Sequence, residues 1–194
     1  VVAYRYKHDI NNTQSRDRFE LTPSTANPPV RAYGTVGFAF TNGLTDTYGT
    51  QYCTITNFPV PILMGYASDY FSYDYARTGV DRVPGVWHQM KIEVKTSVVN
   101  FYIDGVKVNT PYDAAGNPIT TNGVPIFQKG VPRQNTDPFQ YVVIGNGYSN
   151  SMKSMYDDIS VTLGGTPIPF GDPNPVDAPT VVTPLFPGVT TVNL

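Results

Sequence analysis

VVNFYIDGVKVN, residues 98 to 109, alternates apolar and polar side chains on both sides of an Asp-Gly pair. An Asp-Gly dipeptide between alternating runs predicts a two-residue hairpin, because a type I′ turn needs positive φ at both central positions. With Asp104 and Gly105 as the loop, Ile103 pairs with Val106 and Phe101 with Val108. That gathers four apolar side chains on one face, while Tyr102 and Lys107 pair on the other. The register that satisfies the turn also satisfies the core, and a slip of one residue would turn every apolar side chain to water. An antiparallel sheet with one wet face follows.

The pattern extends outward. In GVWHQMKIEVKT, Val86, His88, Met90, Ile92 and Val94 share a face, and Trp87, Gln89, Lys91, Glu93 and Lys95 share the other. TVGFAF sends Val36, Phe38 and Phe40 inward. Eight strands are predicted: Val1 to His8, Arg31 to Thr41, Tyr52 to Gly65, Tyr70 to Arg77, Val86 to Lys95, Val98 to Asn109, Phe139 to Ile144 and Ser154 to Leu163. Half-buried strands at this spacing predict an all-β fold of two antiparallel sheets packed face to face. The insertion from Thr110 to Pro138 is structure-poor and long enough to be functional.

Composition agrees. In 194 residues there are 17 Gly, 18 Pro, 14 Tyr and 10 Phe, and Glu20 and Glu93 are the only glutamates, which disfavours helices. A net charge of -2 without a Lys/Arg run speaks against nucleic acid and anionic membrane surfaces. No apolar run is long enough to span a bilayer. The chain opens on Val1, so it reads as a processed form or a piece of something longer. Cys53 is the lone cysteine and reads as a small buried apolar residue. Few Cys and Lys beside many Tyr, Thr, Asn and Pro suit an extracellular protein.

Two segments are expected: a β-sandwich over 1–165 and an extended Pro-rich C-terminal tail over 166–194. Seven prolines lie between Gly164 and Leu194, which forbids a central strand or a helix there. Yet Val181, Val182, Leu185, Phe186, Val189, Val192 and Leu194 are too apolar for a solvated linker. Such a tail needs a surface to lie on. Residues 1–31 hold five basic and three acidic side chains, while 154–194 hold four Asp and no base. Head and tail complement one another within a subunit or between neighbours.

Taken together, PGVWHQMKIEV, VVNFYIDGVKV, FQYVVIGNG and MYDDISV resemble the concanavalin A-like, laminin-G-like jelly rolls, over about residues 30 to 163. There a Gly-x-Trp-His element opens a long strand, a hairpin carries an Asp-Gly turn, and an Asp-Asp-Ile/Val element forms a closing strand. The resemblance implies a sandwich of two curved antiparallel sheets. It implies no single function, because lectins, carbohydrate-binding modules, adhesion domains, glucanases and lyases share the fold.

SMYDDISVTL, residues 154 to 163, holds adjacent carboxylates. Strict alternation puts Asp157 on the core face with Met155, Ile159, Val161 and Leu163, and Asp158 outside with Tyr156, Ser160 and Thr162. Asp157 then ties down the sandwich rim through backbone N–H groups. The resemblance implies a second reading, since laminin-G-like domains often carry a loop calcium, with Asp157 and Asp158 as ligands beside GNGYSN. Adjacent residues on opposite faces cannot flank one glycosidic bond, and Glu20 and Glu93 stand alone, so glycan cleavage is not expected. His88 reads as a core histidine with one bonded nitrogen, and with His8 it makes too few ligands for zinc. Trp87 either stacks on a sugar or covers the sheet. GYASDYFSYDYAR places Phe71, Tyr73 and Tyr75 on one face, which reads as core or, if exposed, as an aromatic ladder for a glycan or a protein partner. Candidate glycan contacts are Trp87, Tyr73, Tyr75, Asn146 and Tyr148. Asn11-Asn12-Thr13 is a glycosylation sequon where the source modifies secreted proteins.

The function that follows is a non-catalytic extracellular subunit of a surface or filament assembly, its tail contacting copies of itself. A carbohydrate-binding module is the alternative and a glycan-active enzyme the third.

Overall fold

The computed structural model describes residues 1–8, 17–25, 34–40, 51–56, 74–113, 115–133, 135–146, 154–164, 166–168 and 189–193. Among these there is no helix, and hence none long and apolar enough to cross a membrane.

The Asp-Gly turn closes as its sequence dictates. Asp104 and Gly105 have φ of 50° and 78°. Strands β7 (Val98–Ile103) and β8 (Val106–Lys107) pair with Ile103 opposite Val106 and Tyr102 opposite Lys107. The expected apolar quartet loses one member: Phe101, Ile103 and Val108 are buried, but Val106 is 64% exposed. Strand β8 is two residues long, and Val106 lines a surface groove.

One sheet runs β11 (Val131–Pro132), β7, β6 (Trp87–Val94), β1 (Val2–His8), β13 (Ser154–Leu163), β14 (Thr166–Ile168), with β8 attached to β7. The other runs β15 (Val189–Asn193), β12 (Tyr141–Asn146), β2 (Asp17–Thr22), β3 (Val36–Phe40), β4 (Gln51–Thr56), β5 (Asp74–Asp81). Every pairing is antiparallel. Tyr4, Tyr6, Met90, Ile92, Phe101 and Val161 of the first sheet form one core with Phe19, Leu21, Val36, Phe38, Tyr52 and Val142 of the second. Tyr4 stacks on Phe19 at 3.7 Å, and Phe38 meets Phe101 edge-on at 5.5 Å. The chain is a β-sandwich. Ala39, Cys53 and Ile55 form a separate buried cluster, so Cys53 is a buried thiol as its sequence suggests.

Three elements depart from the strands read in the sequence. Strand β2, DRFELT, was not expected, because Asp17, Arg18 and Glu20 make it look like a loop; it is the central strand between β12 and β3, with Asp17 and Glu20 buried. The insertion after Asn109 holds a small hairpin of β9 (Thr120–Thr121) and β10 (Val124–Pro125), followed by β11. Asn109 anchors it, accepting from the Phe101 N–H and donating to the Phe127 carbonyl. The Pro-rich tail supplies β14 and β15, and both lie at sheet edges, where a missing ladder donor is tolerated.

The closing strand overturns the expected faces of SMYDDISVTL. Between β1 and β13, Ala3 pairs with Ser160 but Arg5 pairs with Asp157, so β13 carries one extra residue. That residue is a β-bulge centred on Asp158, whose φ is +50°. The bulge reverses the alternation. Tyr156, expected outside, lies 5.3 Å from the Tyr6 ring in the core, with Ile159 and Val161. Met155, Asp157 and Leu163, expected inside, are exposed. The Asp157 carboxylate accepts from the Asp158 N–H at 2.9 Å and so supports the turn of the chain locally.

Left-handed backbone costs a β-branched residue about 1–2 kcal/mol and glycine almost nothing. Asp158→Val is therefore expected to lower the unfolding free energy measured in urea by that amount, and Asp158→Gly to leave it near the parent value. Equal effects of the two substitutions would remove the bulge as the reason for an aspartate here.

Candidate functional site

The wet face of the first sheet is built by β6, β1 and β7. Lys7 sits opposite Trp87, and Arg5 is the next residue along β1 with the same facing. The Arg5 guanidinium and the Lys7 ammonium each lie 4.8 Å from the Trp87 ring centre, and Arg5 also reaches Asp158 at 3.6 Å. A cation over an indole at the surface is worth about 0.5–1 kcal/mol, and Trp87 is half-buried. Trp87 thus spends its π surface on its own sheet, leaving less of it for a sugar. Tyr102 repeats the arrangement under Lys91 at 3.8 Å and Lys107 at 5.7 Å. Beside it Glu93 accepts from Asn100 Nδ2 at 2.8 Å and lies 3.3 Å from Lys95. The Asn100 hydrogen bond above all, helped by Lys95, holds the Glu93 carboxyl below the usual carboxylate range. Burial and the Glu93 charge raise the Tyr102 phenol.

Behind this face lies a polar seam. His88 is buried, as the alternation of β6 requires, and its Nδ1 lies 2.7 Å from Asp104 Oδ2. Asp104 Oδ1 also accepts from the Gln89 N–H at 2.8 Å, so one carboxylate staples the hairpin turn to β6. Among the described residues the other imidazole nitrogen, Nε2, has no hydrogen-bond partner. The Tyr52 ring stands edge-on to it at 5.1 Å. Across the core the fully buried Asp17 accepts from the Tyr6 and Ser154 hydroxyls. Burial pushes the Tyr4, Tyr6, Tyr52 and Tyr156 phenols up, so all four stay neutral across the physiological range. The seam is a set of structural hydrogen bonds.

The bulge places Asp157 and Asp158 both in solvent, so the opposite-face argument does not apply to them. Asp157 is engaged with its own backbone and Asp158 with Arg5. Among the described residues no three His, Cys, Asp or Glu side chains cluster as a metal would require. Tyr75 and Asn146 lie in β5 and β12, and Val189 and Val192 in β15. Tyr73, Tyr148, Val181, Val182, Leu185, Phe186 and Leu194 fall outside the described residues.

A concavity that the sequence did not single out lies at the β5 edge. Thr78 to Val80, Val106 to Val108, Thr110, Tyr112, Pro118, Pro125 and Gln128 enclose about 430 Å³ of open groove, within the range of small-ligand sites. Tyr112 bridges to Arg77 and lies flat against Gly79, where a Cβ would come within 2.7 Å of its ring. The length of the 110–138 insertion was the available signal; Gly79 falls inside a strand only because β5 runs on to Asp81, past the Arg77 end expected from the sequence. At the opposite end of the same sheet, β15 pairs with β12 through five residues, Val189 with Gly145 to Asn193 with Tyr141. The site residues that this structure gathers are therefore at the two edges of one sheet and on the cation-covered face of the other.

No family model matches the chain, and no curated protein or solved structure matches it either.

The lowered Glu93 carboxyl has a consequence for pH. A carboxylate held below its ordinary 4.5 adds stability that is present above that value and lost as pH falls through the folded-state value. Unfolding free energy should thus drop on acidification through the carboxylate range, and Glu93→Gln should flatten that drop. An unchanged slope in urea titrations from pH 6 to 3 would show that the Asn100–Glu93 bond carries none of it.

Proposed function

We propose that this chain is a non-catalytic β-sandwich of the concanavalin A-like jelly-roll kind, acting outside the cell as a subunit of a surface or filament assembly. Its C-terminal segment makes the contacts between copies. The observation that carries this reading is the β15–β12 ladder: the last described residues of the chain seek a sheet edge and add a strand to it. The apolar, β-branched tail has a purpose in this reading that a ligand-binding module does not supply. The test is size-exclusion chromatography with light scattering on the full chain and on a chain lacking residues 189–194. The full chain should form oligomers and the shortened one a folded monomer; equal masses for the two would sink the reading.

A second reading, a carbohydrate-binding module, is favoured by the groove around Tyr112, whose mixed lining of Val, Pro and Tyr with Thr, Lys and Gln suits a sugar ring. Glycan-array binding by the parent chain that Tyr112→Ala reduces at least about tenfold, with the circular dichroism spectrum unchanged, is expected if it holds. An array on which the parent retains nothing removes it.

A further inference from the structure

We propose that β15 is an exchanged strand: in the assembled form, the β12 edge of each copy is occupied by residues 189–193 of another copy. This rests on the assembly reading above and names its joint. Strand β12 is held on one side by β2 and on the other only by β15, so its outer row of backbone groups belongs wholly to whichever strand arrives there. The pairing is a backbone ladder, and a backbone ladder forms equally well with its own chain or with an identical one. What decides between them is the tether.

Strand β14 ends at Ile168 on the first sheet and β15 begins at Val189 on the second. Twenty residues separate them, six of them proline. A chain of that length reaches about 60 Å when extended at about 3.1 Å per residue, against about 10 Å between the layers of a sandwich. A tether that much longer than the span it must cover lowers the effective concentration of the strand at its own edge. It also lets the strand reach an edge on a neighbour. Every charged side chain from Ser154 onward is acidic, while the first sheet carries Arg5, Lys7, Lys91 and Lys107 over its outer aromatic rings. One-way exchange repeats from copy to copy and gives an open chain, whereas reciprocal exchange closes a dimer.

Val143 and Thr191 are register partners across this ladder. The experiment uses full-length chains with Cys53→Ala, one tagged and carrying Val143→Cys, the other untagged and carrying Thr191→Cys. They are unfolded, refolded together, oxidised with diamide and run on a denaturing gel without reductant. A chain with Val106→Cys, a 64% exposed position away from the ladder, measures random cross-linking. The expected result is a linked tagged–untagged pair at least about tenfold above that control. A linked pair no stronger than the control, in a protein that light scattering shows to be oligomeric, overturns the exchange and leaves assembly to another surface. A parent chain that is monomeric at every concentration overturns both. A chain bearing Val143→Cys and Thr191→Cys together forms the disulfide in either case, between copies if the strand is exchanged and within one chain if it is not, and confirms that the two positions can be joined.

Discussion

A single inserted residue in the closing strand governs which side chains of that strand meet water. Without the bulge at Asp158, Tyr156 would leave the aromatic layer it forms with Tyr4, Tyr6 and Phe19, and Asp157 would enter it. Burying an unpaired carboxylate in such a layer costs several kcal/mol, far more than the left-handed backbone at one aspartate. The bulge is the cheaper solution. It also delivers Asp158 to Arg5 and so helps hold the cation that covers Trp87. Core and outer face are settled by the same residue.

Two carboxylates tie strands together, Asp104 from an exposed turn and Asp17 from the interior. Asp104 joins the hairpin turn, the buried His88 and the Gln89 backbone through its two carboxylate oxygens, and Asp17 receives the Tyr6 and Ser154 hydroxyls. Such bonds add modestly to net stability, but each group left without its partner would cost about 1–3 kcal/mol. They therefore discriminate against misregistered sheets more than they strengthen the correct one. Among the described residues, Trp87 and Tyr102 of the wet face lie under neighbouring Lys and Arg, and a groove opens beside β5.

Much of this was legible in the chain. The register of residues 98–109 and the faces of β6 followed from period-two alternation and one turn dipeptide, because both are local rules that the tertiary structure only had to obey. The burial of Cys53 and the inward facing of His88 were legible for the same reason. Strand β2 was not, since one of its buried acids, Asp17, is paired by Ser154, 137 positions on. Local propensity counts Asp and Glu as loop formers and has no means of seeing a distant hydroxyl. The groove was invisible likewise, being assembled from three separate segments.

The sequence by itself determined an all-β chain, its strongest hairpin, and a tail whose prolines confine any strand there to an edge, because each of these depends on near neighbours and backbone geometry alone. Only the tertiary structure decided the faces of SMYDDISVTL and the edge that the last strand joins. A bulge appears when one strand must match a partner 150 residues away, and an edge exists only once the rest of the sheet has formed.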